Sequence, residues 1–178
     1  PSRGLGDVYK RQIINYIFKS PPTAYYFSQV KQGTYLIRLK FIHRRILYMK
    51  NLRCEKAVEK KHNGYNCAQA VACSFCKEAS MDEDTLKKIT QGFGAGLGTM
   101  AGTCGAISGA AVVAGLINQD KAGTSQTVRS VMNQFKQQNG TVICKDLKGV
   151  ETGKVIRSCD DCVRDAVKFL EDALKSEN

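Results

Sequence analysis

Eight cysteines in 178 residues are the side chains of this sequence best suited to chemistry. Four of them share a placement. Cys67 follows Asn66, Cys104 follows Thr103 and Cys159 follows Ser158, and each preceding residue is of a type that caps helix N-termini. Ser158 and Asp161 repeat the spacing of a capping pair. Cys144 opens Cys-Lys-Asp-Leu, long enough for one helical turn. At a helix start the free backbone N–H groups and the helix dipole favour negative charge, so a thiol there gives up its proton more readily. The thiolate is both nucleophile and metal ligand, and the placement therefore suits redox exchange and metal binding alike. Three or four such cysteines in one domain favour function over their use as small core hydrophobes.

The remaining cysteines are placed differently. Cys73 and Cys76 form a C-x-x-C that reads as one face of a helix, and Cys159 and Cys162 form a second C-x-x-C. Two such pairs have the composition of a four-thiolate zinc site. A pair inside a continuous helix, however, is unlike the tight turns that usually carry structural zinc ligands. Cys54 lies on a charged helix and reads as incidental.

Other chemistries find little support. The stretch Gly92-Phe-Gly94-Ala-Gly96-Leu-Gly98 has no preceding strand, lacks the spacing of a dinucleotide loop, and is not followed by Gly-Lys-Ser/Thr. Its glycines read instead as close backbone approach around Cys104, with Gly94, Gly96 and Gly98 shaping the site. Gly105 and Gly109 are predicted to let a neighbouring helix come near. His62 could pair with Cys67 but reads as a solvated surface residue, and no carboxylate pair stands out for acid–base work.

The elements that must position these thiols read as helices. Helical patterns cover 50–61, 66–79 (apolar stripe Ala68, Val71, Ala72, Phe75), about 81–91 opened by a Ser80-x-x-Glu83 capping box, 104–118, 122–138 and 159–175. A loop over 141–157 holds Cys144. No segment keeps the two-residue alternation of a strand. The uncharged run Thr90–Gln119 has only about a dozen strongly apolar residues, Ala106–Ile117, against the ~20 needed to span a bilayer, so it predicts a buried core helix and no membrane span. The fold class expected is all-α: a compact bundle of five or six short helices with a Gly-rich loop.

The net charge of +11 is uneven. Residues 1–48 hold nine Lys/Arg and one acidic residue, whereas the rest hold 18 basic and 15 acidic residues. The basicity belongs to the N-terminal stretch, and 49–178 reads as a mixed-charge solvated surface with no nucleic-acid face. Residues 1–48 show no clear period and open on Pro-Ser-Arg-Gly-Leu-Gly-Asp-Val-Tyr-Lys-Arg-Gln, which resembles translated adapter sequence. They are read as a doubtful basic extension outside the native protein, with Met49 as the start of the domain 49–178. The apolar run Ile13–Phe18 is too short and polar for a secretory signal. A cytoplasmic setting is therefore expected, where clustered cysteines are redox-active or metal-binding more often than structural bridges.

Gly64-Tyr-Asn-Cys67-Ala-Gln-Ala-Val71, Gly92 to Gly98, Thr103-Cys104-Gly-Ala-Ile-Ser-Gly109-Ala, Cys144 with Leu147, and Cys159 with Val163 and Ala166 together closely resemble the redox-active family called C_GCAxxG_C_C. The resemblance covers about 55–172. It implies a small helical protein with four characteristic cysteines, which by motif are Cys67, Cys104, Cys144 and Cys159. A related module beside haem domains implies an iron–sulfur cluster. The extra Cys73, Cys76 and Cys162 are further candidate ligands, and either thiol of the Cys159/Cys162 pair could serve. The function expected is electron transfer or thiol–disulfide chemistry, through a cluster such as Cys₄-ligated [2Fe–2S] or through cycling between dithiol and disulfide. Its partner would be a redox protein or a small-molecule reductant. The alternatives are a zinc-binding structural module and a transporter-associated accessory protein. The sequence assigns no enzymatic activity and no oligomeric state.

Overall fold

The computed structural model describes residues 52–176, all within the compact unit Ile46–Asn178. The doubtful extension and the start at Met49 lie outside the described residues. Helices α1 (52–62), α2 (Cys67–Ala72), α3 (Glu83–Ile89), α4 (Gly105–Asn118), α5 (Lys121–Asn139), α6 (Cys144–Lys148) and α7 (Cys159–Ser176) follow in chain order. Among the described residues there is no strand, only one antiparallel bridge between Thr103 and Ile143. The fold is all-α, as the patterning predicts. None of the described helices is long and apolar enough to cross a membrane.

The long helices α4, α5 and α7 pack on one another, with α2 laid across α4 and α7. Their shared core includes Ala106, Val113, Val131, Phe135, Val163, Val167 and Leu170, all at most 2% exposed. Phe135 and Phe169 meet edge to face with ring centroids 6.4 Å apart. Helix α1 is pinned to α7 by Arg164, which donates to both carboxylate oxygens of Glu55 at 2.9 and 3.1 Å.

Two local expectations are corrected. The helix predicted over 66–79 ends at Ala72. The Ser74 hydroxyl donates back to the Val71 carbonyl at 2.7 Å, and the next amides make tight three-residue bonds that turn the chain and deliver Phe75 to the core. Cys73 and Cys76 therefore sit on consecutive turns, not on one helical face. The Ser80–Glu83 capping box does not form. Ser80 takes a left-handed conformation (φ 49°), and Asp82 caps α3 by accepting from the Thr85 amide at 2.9 Å. Glu83 turns instead to Lys60 and the Tyr65 hydroxyl.

Candidate thiol site

The Asn-Cys-Ala-Gln sequence is a device for fixing Cys67. The Asn66 side chain accepts from the Gln69 amide and the Gln69 side chain accepts from the Asn66 amide, both at 2.9 Å, a reciprocal cap at the start of α2. The leftover donors tie that start to its neighbours. Asn66 Nδ2 donates to the Gln91 carbonyl and Gln69 Nε2 to the Lys87 carbonyl, again at 2.9 Å.

Gly105 and Gly109 lie one turn apart on α4, facing α2. A Cβ at Gly109 would stand 2.4 Å from the Ala68 carbonyl oxygen, and one at Gly105 would stand 2.7 Å from the Phe93 oxygen. Their missing side chains let the two backbones touch, which brings Cys67, beside Ala68, to Cys104, beside Gly105. Cys104 itself occupies the N-cap position of α4, the place expected for Thr103. The Cys104 amide donates to the Val142 carbonyl at 2.8 Å and the Cys144 amide to the Gly102 carbonyl at 3.0 Å, so the Cys144 segment is stitched alongside.

The Gly-rich stretch makes a short 3₁₀ turn, Gln91–Phe93, and then reverses hand. Ala95, Gly96, Leu97 and Gly98 all have positive φ, and so does Met100. The reversal brings Gly96 so close to α6 that a Cβ there would meet Cys144 Cβ at 2.7 Å. Gly94 is equally tight against Asn66, whereas Gly98 has open space and is called for by its φ of 76°.

Cys159 opens α7, capped by Ser158, whose hydroxyl oxygen accepts from the Asp161 amide at 3.0 Å. The preceding loop is anchored by Arg157, which donates two 3.0 Å bonds to the buried carboxylate of Asp165; Asp165 also accepts from Asn139 on α5 at 3.1 Å.

These elements converge the thiols into pairs. Cys67 and Cys159 neighbour one another closely enough to shift each other's acidity, and Cys104 and Cys162 do the same. Cys144 stands within electrostatic reach of Cys104 and Cys159. The pairs differ in access: Cys67 and Cys159 are half-buried, whereas Cys104 and Cys162 are 2% and 0% exposed. Lys148, at the last turn of α6, serves both pairs. Its Nζ lies 3.9 Å from Cys162 Sγ, donates to the Arg157 carbonyl at 2.9 Å, and favours the charged form of Cys159.

The four thiols at the helix starts are not shifted alike. When two thiols share a hydrogen bond, one keeps the proton and the other carries the charge. The hydrogen bond from Cys67 holds Cys159 well below the ordinary thiol range, with Lys148 and Lys61 adding to the effect. Cys162 is lowered in the same way by Cys104 and Lys148. Cys67 and Cys104 are driven up, first by donating that hydrogen bond and then by burial. Burial raises Cys144.

The other sequence candidates lie elsewhere. Cys73 and Cys76 pack with Ala79, Leu86 and Tyr65 in a separate small cluster. There Cys73 donates to the Glu83 carbonyl at 3.7 Å, and burial pushes its thiol up to about 11. Cys73 and Cys76 are therefore not brought together with Cys159 and Cys162. His62 is exposed and pairs with Asp160 at 2.8 Å. Cys54 is buried against α7. Sulfur donors suit iron or zinc, yet among the described residues no group of three or more His, Cys, Asp or Glu is placed to hold a metal ion. Sequence reasoning missed Lys148, and the available signal was its position four residues after Cys144 in the same short helix.

A family model described as "Putative redox-active protein (C_GCAxxG_C_C)" matches residues 65–173. No curated protein and no solved structure matches the chain.

Proposed function

We propose, for a chain that belongs to the C_GCAxxG_C_C family, that Cys67 and Cys159 form a dithiol that exchanges with disulfides of a partner protein or small molecule. The observation that carries this reading is the half-buried Cys159 at the first position of α7, whose thiol is held well below the ordinary range by the neighbouring Cys67 and Lys148. A low thiol pKa with solvent access is the combination that marks a reactive cysteine.

The steps balance. Cys159 Sγ attacks one sulfur of a substrate disulfide, forming a mixed disulfide and expelling one substrate thiolate, which takes a proton from solvent. The Cys67 thiol then loses its proton and attacks Cys159 Sγ. This closes a Cys67–Cys159 disulfide and expels the second substrate thiolate, which accepts that proton. The substrate gains two electrons and the dithiol loses two. A reductant of the same chemical class, a dithiol, reverses the cycle.

The test is disulfide mapping of anaerobically reduced protein after one equivalent of glutathione disulfide, with metal and acid-labile sulfide measured on the same sample. A Cys67–Cys159 linkage that is lost in Cys159→Ser supports the reading. A chain isolated with stoichiometric iron and sulfide, or with one zinc, overturns it.

A further inference from the structure

Cys104 and Cys162 have no place in that cycle, yet they repeat its design: two neighbouring thiols and the same lysine, whose Nζ lies 3.9 Å from Cys162 Sγ. They differ in one respect. At 2% and 0% exposure, neither sulfur can be reached by a disulfide in solution. Charge held in an apolar interior is costly unless something compensates it, so a fully enclosed reactive sulfur calls for a neighbour with which it can react.

Two independent features identify that neighbour. Cys162 is the fourth residue of α7 and Cys159 the first, so they share one face of the first turn, with Cα atoms about 5 Å apart by helix geometry. That Cα separation is one a disulfide can bridge once the side chains turn toward each other. Lys148 Nζ also lies 3.9 Å from Cys162 Sγ and lowers the pKa of Cys159 as well, so one ammonium group acts on both sulfurs. Cys159 thus belongs to the half-buried pair while sharing a helix face with a member of the enclosed one.

We infer that Cys104 and Cys162 form a second, enclosed dithiol that is oxidised only through Cys159, so that the chain takes up two electron pairs by an internal disulfide relay. The inference rests on the reading of Cys67 and Cys159 as the outer dithiol. In the relay, Cys162 Sγ attacks Cys159 Sγ of the Cys67–Cys159 disulfide, forming Cys159–Cys162 and releasing Cys67 as a thiolate. Cys104 passes its proton to Cys67, attacks Cys162 Sγ, forms Cys104–Cys162 and releases Cys159 as a thiolate. One disulfide breaks and one forms, and two electrons pass from the inner pair to the outer pair. The outer pair is then free to reduce a second substrate disulfide, and full oxidation consumes two substrate disulfides per chain.

The experiment uses the full chain, reduced anaerobically, mixed with one equivalent of glutathione disulfide, quenched in acid at a series of times and mapped by mass spectrometry after alkylation. The expected course is early Cys67–Cys159 followed by Cys104–Cys162, with Cys67 and Cys159 returning to thiols. In Cys162→Ala the outer disulfide should form and persist, and the uptake at excess oxidant should fall from two equivalents to one. In Cys159→Ser, Cys104–Cys162 should form at least tenfold more slowly than in the wild type. Circular dichroism of each variant confirms its helices. A wild-type chain that forms Cys67–Cys159 but never Cys104–Cys162, or that joins Cys104 to Cys144 instead, overturns the relay and leaves the outer-dithiol reading standing. Equal rates of Cys104–Cys162 formation with and without Cys159 also overturn the relay. Failure of both disulfides to form overturns both readings.

Discussion

The reactivity of Cys159 is set by its neighbours, and each contribution can be removed singly. The hydrogen bond from Cys67 is the largest cause of its lowered pKa, and Lys148 comes next among the favourable ones. Iodoacetamide labelling of Cys159 in the reduced chain is therefore expected to stay fast as pH falls through the ordinary thiol range, and to drop only well below it. Cys67→Ala should move that drop upward by the larger amount and Lys148→Met by a smaller one. The sign follows because each partner favours the charged form, so its loss raises the pH at which the thiolate appears. Labelling rates measured from pH 4 to 10 decide the matter, and a profile unmoved by either substitution counts against the pairing. At this scale the sequence was legible for position and misleading for charge. Capping residues beside Cys67 and Cys159 gave away the helix starts. Which thiol keeps the proton depends on a partner some 60 to 90 residues away, which no local pattern encodes.

At the scale of elements, the crossing of α2 over α4 decides whether the thiols meet. Gly109→Ala would drive a methyl group into the Ala68 carbonyl, and both atoms belong to rigid backbone contacts. A loss of about 1–3 kcal/mol or more in urea unfolding is expected, together with weaker formation of the Cys67–Cys159 disulfide. Gly115→Ala on the same helix is the contrast. Its new methyl group would meet only Thr124 Cγ2 at 3.8 Å, and the loss of backbone freedom in the unfolded chain should stabilise by roughly 0.4–1 kcal/mol. Small-residue spacing announced this approach, because Gly105 and Gly109 lie one turn apart next to a cysteine. The end of α2 at Ala72 was not legible. Ala68, Val71, Ala72 and Phe75 fit a continuing stripe, and only a single hydroxyl, Ser74, bending back to Val71 stops it. The handedness of Ala95–Gly98 was equally hidden, since Ala95 and Leu97 are residues that ordinarily avoid it.

For the whole molecule, the all-α class followed from helical periodicity and from the absence of strand alternation, because both are properties of the chain before it packs. The same long-range joining of α4 to α7 that hides the thiol pairs from sequence inspection gives oxidation a large mechanical effect. A Cys104–Cys162 link would close a loop of about 58 residues and so stabilise by roughly 4 kcal/mol on the chain-entropy account. That corresponds to a melting temperature higher by on the order of 10 °C. Calorimetry of the oxidised and reduced chains checks this, and equal melting temperatures would speak against a bridge between the two helices.

In each thiol pair one sulfur is lowered by its partner and the other raised, and the enclosed pair repeats the outer one in this respect. Where the two reduced pairs hold the same number of protons, moving the disulfide from one to the other neither consumes nor liberates a proton and leaves the interior with the same charge. The ratio of the two isomers in singly oxidised protein should then be the same at pH 6 and pH 8, although the potential of each pair against an external couple shifts with acidity. Such an interior would pass oxidising equivalents inward with no need of a water channel or an ionisable relay to balance them.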